Sequence, residues 1–313
     1  MNKTVLSLAP LQGFTEYPYR NALHKIIGGI DKYYTPYLRL QNDESLKKKN
    51  IKDILPENNS TPLTPQILVN NSNDFIHLAQ IISDHGYQEL NLNLGCPYPM
   101  VTNRELGAGL LTQPNRIIYM LEEALPKINI SVSIKMRLGM YNAKDIANIL
   151  PQFNQFPISE IIIHPRIAKQ LYRGSVNLDA FRESLSVTEH KLAYNGDITT
   201  LEQFQNIQNT FKSIKHFMIG RGLLNNPFLA QEIINNKTFP LSEKLEKLHE
   251  FHNLIFAFNK QATSGNTHLL NKMIQFWSYF AFSFSESKKI IKSIKKCKNE
   301  KTYLKLTNVL FDQ

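Results

Sequence analysis

Short apolar runs recur along the first 240 residues, and stretches with helical spacing separate them. The candidate strands are Val5–Ala9, Tyr33–Tyr37, Gln66–Val69, Glu89–Asn93, Ser131–Met136, Glu160–His164, Lys191–Tyr194 and His216–Ile219. Runs such as EIIIH are apolar without alternation, as strands buried on both faces of a parallel sheet require. Helices are expected at Pro18–Ile27, Asn73–His85, Pro114–Ala124, Ala143–Phe153, Leu178–Ser186, Thr200–Thr210 and Pro227–Ile234. Eight strands with helices between most of them predict an α/β fold, a (β/α)8 TIM barrel spanning 1–240. The polar stretch Leu38–Pro65, with KKKN and ENNSTP, reads as a long loop with some helix.

Beyond Pro240 the strand-like runs stop. Ser242–Gln261, His268–Phe284 and Ser287–Lys298 carry helical spacing, with the turn TSGNT between the first two. A C-terminal all-α helical bundle over 241–313 is the expected second domain. Charge is distributed unevenly between the two. The formal net charge is +10, yet residues 241–313 hold 12 lysines against six acidic groups. Such a lysine-rich tail suits a polyanion, a solvated helix face being the bland alternative. Two cysteines, Cys96 and Cys297, exclude a disulfide framework or a four-thiolate metal centre. The apolar stretches fall short of the ~18 residues a membrane span needs, and the first residues lack a signal-peptide pattern. A cytoplasmic protein without a membrane or metal partner is expected, taken as a monomer.

Reactive groups of a barrel sit at the C-terminal ends of its strands. That filter selects Ala9-Pro10-Leu11 after strand 1, Gln66 in strand 3, and Asn93 and Cys96 at strand 4. It then selects Lys135 and Arg137, His164 and Arg166, Asn195-Gly196-Asp197, and Gly220-Arg221 at strands 5 to 8. Lys135 lies in an apolar run, where an ammonium is costly unless an anionic group meets it or the side chain snorkels out. His164 reads equally as a packed core histidine or a site residue. The glycines and Arg221 after strands 7 and 8 suit a phosphate held by backbone N–H groups and a guanidinium. Cys96, on a loop between Gly95 and Pro97, suits a proton donor or nucleophile; Cys297, on a lysine-rich helix, reads as packing. No cluster has metal-ligand spacing.

These motifs resemble the tRNA-dihydrouridine synthases, flavin enzymes with an FMN-binding barrel followed by a helical domain. The resemblance rests on APLQGFTE (9–16), NLNLGCP (91–97), GAGLL (107–111) and SIKMRLG (133–139). HPRIAKQLYRG (164–174), YNGDI (194–198) and IGRGLLNNP (219–227) complete it in family order. MIQFWSY (273–279) is similar to a helix of the bacterial subgroup acting near tRNA position 16. The chain departs from the family at Leu11, Glu16 and Pro165, and has no basic residue straight after Cys96-Pro97.

The resemblance implies reduction of a D-loop uridine to 5,6-dihydrouridine, with a hydride from FMN, a proton from Cys96, and NADPH as reductant. It implies FMN contacts from Ala9, Pro10, Leu11, Gln66, Lys135, His164, Asn195, Gly196, Asp197, Gly220 and Arg221. Asn93, Arg137 and Arg166 are implied contacts to the substrate. Lys288, Lys292 and Lys295 in the tail are candidates for tRNA phosphate. No G-x-G-x-x-G occurs, so a nicotinamide would bind only transiently. An FMN-dependent barrel reducing a small pyrimidine is the alternative; it would have no need of the basic tail. A non-catalytic RNA-binding protein on a decayed barrel is a third possibility, which the intact strand-end motifs oppose.

Overall fold

The computed structural model describes residues 3–41 and 45–312. Nine parallel strands form one sheet: β1 (Val5–Leu8), β2 (Lys32–Tyr34), β3 (Leu63–Thr64), β4 (Gln66–Ile67), β5 (Glu89–Leu94), β6 (Ser131–Gly139), β7 (Ile158–Ile167), β8 (Leu192–Asn195) and β9 (His216–Ile219). Their order is β3-β2-β1-β9-β8-β7-β6-β5-β4. Only Pro65 separates the two end strands. Leu63 and Thr64 pair with β2, whereas Gln66 and Ile67 pair with β5. A proline has no N–H for the ladder, so β3 and β4 are two halves of one strand, interrupted where that donor is missing. The sheet thereby closes into the eightfold barrel that the sequence predicts.

Two boundaries differ from the sequence reading in a way that matters. β6 and β7 run on to Gly139 and Ile167, so Arg137 and Arg166 belong to the strands and not to loops beyond them. The stretch 38–65 is mostly loop, with a helix at Lys48–Ile54 and a 3-10 turn at Pro56–Asn58.

Alternate strand residues share a face, which layers the barrel interior. Ala9, Tyr34, Ile162, Ala193 and Met218 form its apolar centre. Two residues earlier on their strands, Ser7 Oγ lies 2.6 Å from His216 Nε2, and His216 Nδ1 lies 2.7 Å from Glu160 Oε2. Lys32 Nζ donates to Glu89 Oε2 at 2.6 Å in the same end layer. Ser7 is fully buried, so this serine–histidine–glutamate chain ties strands together and offers no nucleophile to a ligand. Two residues later on β7, beyond the apolar centre, comes His164.

The chain divides into two compact units. The first, Met1–Tyr17, Asp31–Asp197 and Gln208–Ile219, contains the whole sheet. The second comprises Pro18–Ile30, Ile198–Ile207 and Gly220–Gln313. It therefore recruits segments that precede residue 241, the boundary drawn from sequence. Its C-terminal helices are Leu241–Ala262, Asn266–Phe280, Ser287–Ile294 and Glu300–Phe311. The last was not apparent from sequence; Asn299 caps it, accepting from Thr302 N at 2.9 Å. No helix among the described residues is long and apolar enough to cross a membrane.

The helical core is aromatic and contains one buried polar chain. Trp277 Nε1 donates to Tyr303 Oη at 2.8 Å, and Tyr303 Oη lies 2.6 Å from His252 Nε2. Burial lowers the His252 pKa to about 4, against about 6.5 in an unfolded chain. The folded state thus favours the neutral ring. The associated stability is complete above pH 6.5 and is lost as pH falls towards 4, a contribution of about 3 kcal/mol. Denaturant titrations should show this loss in the wild type and its absence in His252→Gln.

Candidate active site

The site begins with a chain of side-chain amides at the rim of the barrel. Asn91 Nδ2 donates to Ser133 Oγ (3.0 Å), Gln66 Nε2 to Asn91 Oδ1 (2.7 Å), and Asn93 Nδ2 to Gln66 Oε1 (2.7 Å). Asn93 Oδ1 then accepts the backbone N–H groups of Gly95 and Cys96, both at 2.9 Å. Strand pleating makes this possible: Asn91 and Asn93 on β5 share a face, as do Ser133, Lys135 and Arg137 on β6, and Asn93 pairs with Lys135 across the ladder.

The loop carrying Cys96 is held from three further sides. Arg137 Nε donates to Gly95 O at 3.1 Å and its Nη1 to Ile167 O at 3.0 Å. The Tyr172 ring lies 5.5 Å from that guanidinium. Ala108 N donates to Cys96 O at 3.1 Å. Gly107 sits at φ 57°, and a Cβ there would lie 2.9 Å from both Cys96 Cβ and Cys96 O. This close approach explains the first glycine of GAGLL, and Gly109 approaches Thr102 in the same manner. Leu68, Val101 and Leu106 form an apolar cluster on which Cys96 and Tyr37 both pack.

Electrostatics within this pocket oppose ionisation of both neighbouring groups. Burial pushes the Cys96 thiol up, against the pull of the Tyr98 backbone, Arg137 and Lys135. The thiol is therefore a protonated acid at neutral pH. Lys135 is desolvated and sits near the Arg137 charge, which together lower its pKa to about 7. Its ammonium has no hydrogen bond or ion pair among the described residues. Burial likewise lowers Arg137 to about 10.

A second group gathers at the ends of β7 and β8. Arg166 donates through Nη1 and Nη2 to the two carboxylate oxygens of Asp197, at 2.9 and 2.5 Å, and through Nη2 to Gly174 O. Its Nη1 also lies 3.0 Å from His164 Nε2. A guanidinium only donates, so His164 accepts at Nε2 and carries its proton on Nδ1. Arg166 Nε is buried without a partner. Asp197 adopts a left-handed φ of 44°, and Asn195 Nδ2 donates to Met218 O at 2.8 Å.

Most residues singled out in the sequence thus fall into these two groups. Gln66, Asn93, Cys96, Lys135 and Arg137 surround the thiol. His164, Arg166, Asn195 and Asp197 form the neighbouring group, to which Gly196 contributes a position crowded by Val176 and His164. Arg137 and Arg166, read as substrate contacts, are 2% and 1% exposed and bound to protein partners; their visible work is to position the Cys96 loop and Asp197. Ala9 N donates to Ile219 O and Leu11 N to Thr15 Oγ1. Gly220, Arg221, Lys288, Lys292 and Lys295 belong to the second unit, where the three lysines are exposed. Sequence reading missed Asn91, Ser133 and Tyr37. It also missed Gly107 and Tyr172; of these five residues, all but Tyr37 stood inside motifs it quoted.

A parallel barrel with a pinned thiol and an unpaired lysine at the C-terminal strand ends defines a candidate enzyme of the TIM-barrel class. The chain belongs to the dihydrouridine synthase (Dus) family, whose profile matches residues 7–309. A tRNA-dihydrouridine(16) synthase of Pasteurella multocida is 28% identical over 306 residues, covering 93% of this chain and 94% of its own length. That of Haemophilus ducreyi is 29% identical over 262 residues, covering 80% and 79%. A probable tRNA-dihydrouridine synthase of Rhizobium leguminosarum is 29% identical over 228 residues, covering 71% and 69%. Among solved structures, a variant of NCR from Zymomonas mobilis superposes with a TM-score of 0.52 at 12% identity, over 75% of this chain and 87% of that one. Morphinone reductase gives 0.52 at 8% identity, over 75% and 86%. At these identities the likeness is one of fold.

Proposed function

We propose that this protein is an FMN-dependent tRNA-dihydrouridine synthase that reduces one D-loop uridine, at position 16. The observation that carries the reading is the Cys96 thiol, kept protonated by burial and fixed beside the unpaired Lys135. Family membership and the position-16 relatives support the substrate. When bound, FMN supplies the hydride to one carbon of the uracil 5,6 double bond, and NADPH restores it.

The residues present fit such a group. Lys135 calls for an anionic partner, and Gln66 Nε2 spends only one of its two hydrogens, on Asn91. Lys135 would oppose negative charge on the reduced ring, with Gln66, His164 and the Ala9-Pro10-Leu11 backbone at its edge. Asn195, Gly196 and Asp197 would take the phosphate end; Gly220 and Arg221 keep the phosphate role their motif implies. Cys96 delivers the proton to the second uracil carbon as the hydride arrives at the first. Asn93 retains one amide hydrogen for the base while its oxygen holds the loop. The exposed Lys288, Lys292 and Lys295 attract tRNA phosphate without reading sequence. The protein works as a cytoplasmic monomer.

The test is mass mapping of tRNA from a strain lacking this gene. Dihydrouridine should vanish from one D-loop position and return with the wild-type gene. Its persistence, with no second synthase gene present, overturns the reading.

Lys135→Met separates the cofactor role from a packing role. It removes a desolvated amine that has no protein partner among the described residues, so the flavin-free protein should melt at a higher temperature. The same variant should purify with less flavin. A calorimetric scan and a visible spectrum measure the two effects.

A further inference from the structure

The first unit holds a cleft of about 690 Å³ that the mechanism leaves unused. Its lining includes Gln12, Tyr37, Arg39, Lys47, Met100 and Arg104, and no carboxylate among the described residues. None of the three cations makes an ion pair among the described residues; Asp43 and Glu44 of the same loop lie outside them. The walls come from two places: the long loop after β2 gives Arg39 and Lys47, and the segment just after Cys96 gives Met100 and Arg104. Tyr37 packs on the same apolar cluster as Cys96, so the inner end of the cleft adjoins the thiol-bearing loop. Met100, 78% exposed, stands beside it.

We propose that this cleft binds the phosphodiester backbone of the nucleotides flanking the target uridine. The proposal rests on the tRNA reading above. A uridine that reaches Cys96 must leave its stack, and its neighbours then lie on the surface next to the loop. Cations at that place, without an ion pair among the described residues, meet their phosphates. Met100 offers an apolar surface to the base step that the flipped uridine vacates.

The experiment uses full-length protein and an unmodified tRNA transcript, with Kd measured across a salt series. Arg39→Gln and Arg104→Gln should each weaken binding and reduce the slope of log Kd against log salt by about 1. The double variant should lose about 2, while its melting temperature and its KM for NADPH stay at wild-type values. An unchanged slope in the double variant overturns the proposal. So does a raised KM for NADPH with unchanged tRNA binding, which assigns the cleft to the phosphates of the reductant. Formation of dihydrouridine by the wild-type protein is scored separately. If it forms and the slope does not change, only the cleft assignment falls; if it does not form, the functional reading falls first.

Discussion

Cys96→Ala is expected to slow dihydrouridine formation in a single turnover by about 10²–10⁴, the range for loss of a positioned general acid. Affinity for tRNA should stay near wild type, because the loop is held through its backbone, by Asn93, Arg137 and Ala108. Alanine leaves all of those contacts in place. Cys96→Ser should recover little, since an alcohol releases its proton far less readily than a thiol. The pH profile has a definite sign. The acid must be protonated to act, so the rate holds at neutral pH and falls as pH rises through a thiol pKa that burial has pushed up. A loss smaller than tenfold would move the proton to another donor.

Asp197→Ala should be the most destabilising change in the site, by about 3–5 kcal/mol. Asp197 supplies the only carboxylate on Arg166 among the described residues, and the Arg166 side chain is 2% exposed. Removing the carboxylate leaves a guanidinium in the barrel rim with only Gly174 O and His164 to receive its hydrogens. Chemical denaturation of wild type, both single variants and Arg166→Met/Asp197→Ala closes the cycle. Much of the loss should return in the double variant, because the uncompensated charge is gone. A cost below 1 kcal/mol for Asp197→Ala would reduce the pair to an ordinary surface bridge.

The architecture was legible because parallel strands buried on both faces leave continuous apolar runs, and EIIIH or SVSIKM can hardly be read otherwise. Strand ends were less so. Gln66–Val69 looked like a whole strand, since nothing local says that residues before Pro65 pair with one neighbour and those after it with another. The helix Glu300–Phe311 escaped because its apolar face is interrupted by lysines and threonines, although Asn299 with Thr302 is a readable cap. At the site, residue types marked the strand ends but not the protein partners that the side chains meet there. Arg137 and Arg166 looked like hands for a substrate. Their extended strands turn them inward, where backbone carbonyls and Asp197 occupy them. Asn91 and Ser133 were given no role, because an amide chain becomes visible only when β4, β5 and β6 are side by side.

The burial of Cys96 has a consequence for how long the protein would survive the flavin chemistry proposed for it. Reduced flavins pass electrons to oxygen, and the peroxide that results attacks thiolates far faster than thiols. A catalytic cysteine tuned to a low pKa would be consumed by that side reaction. This one, half-buried and protonated, is shielded by the same desolvation that keeps its proton in place for the proposed role. Its alkylation by iodoacetamide at neutral pH should accordingly be slower than that of free cysteine, and oxidative inactivation should set in only as the solution turns alkaline.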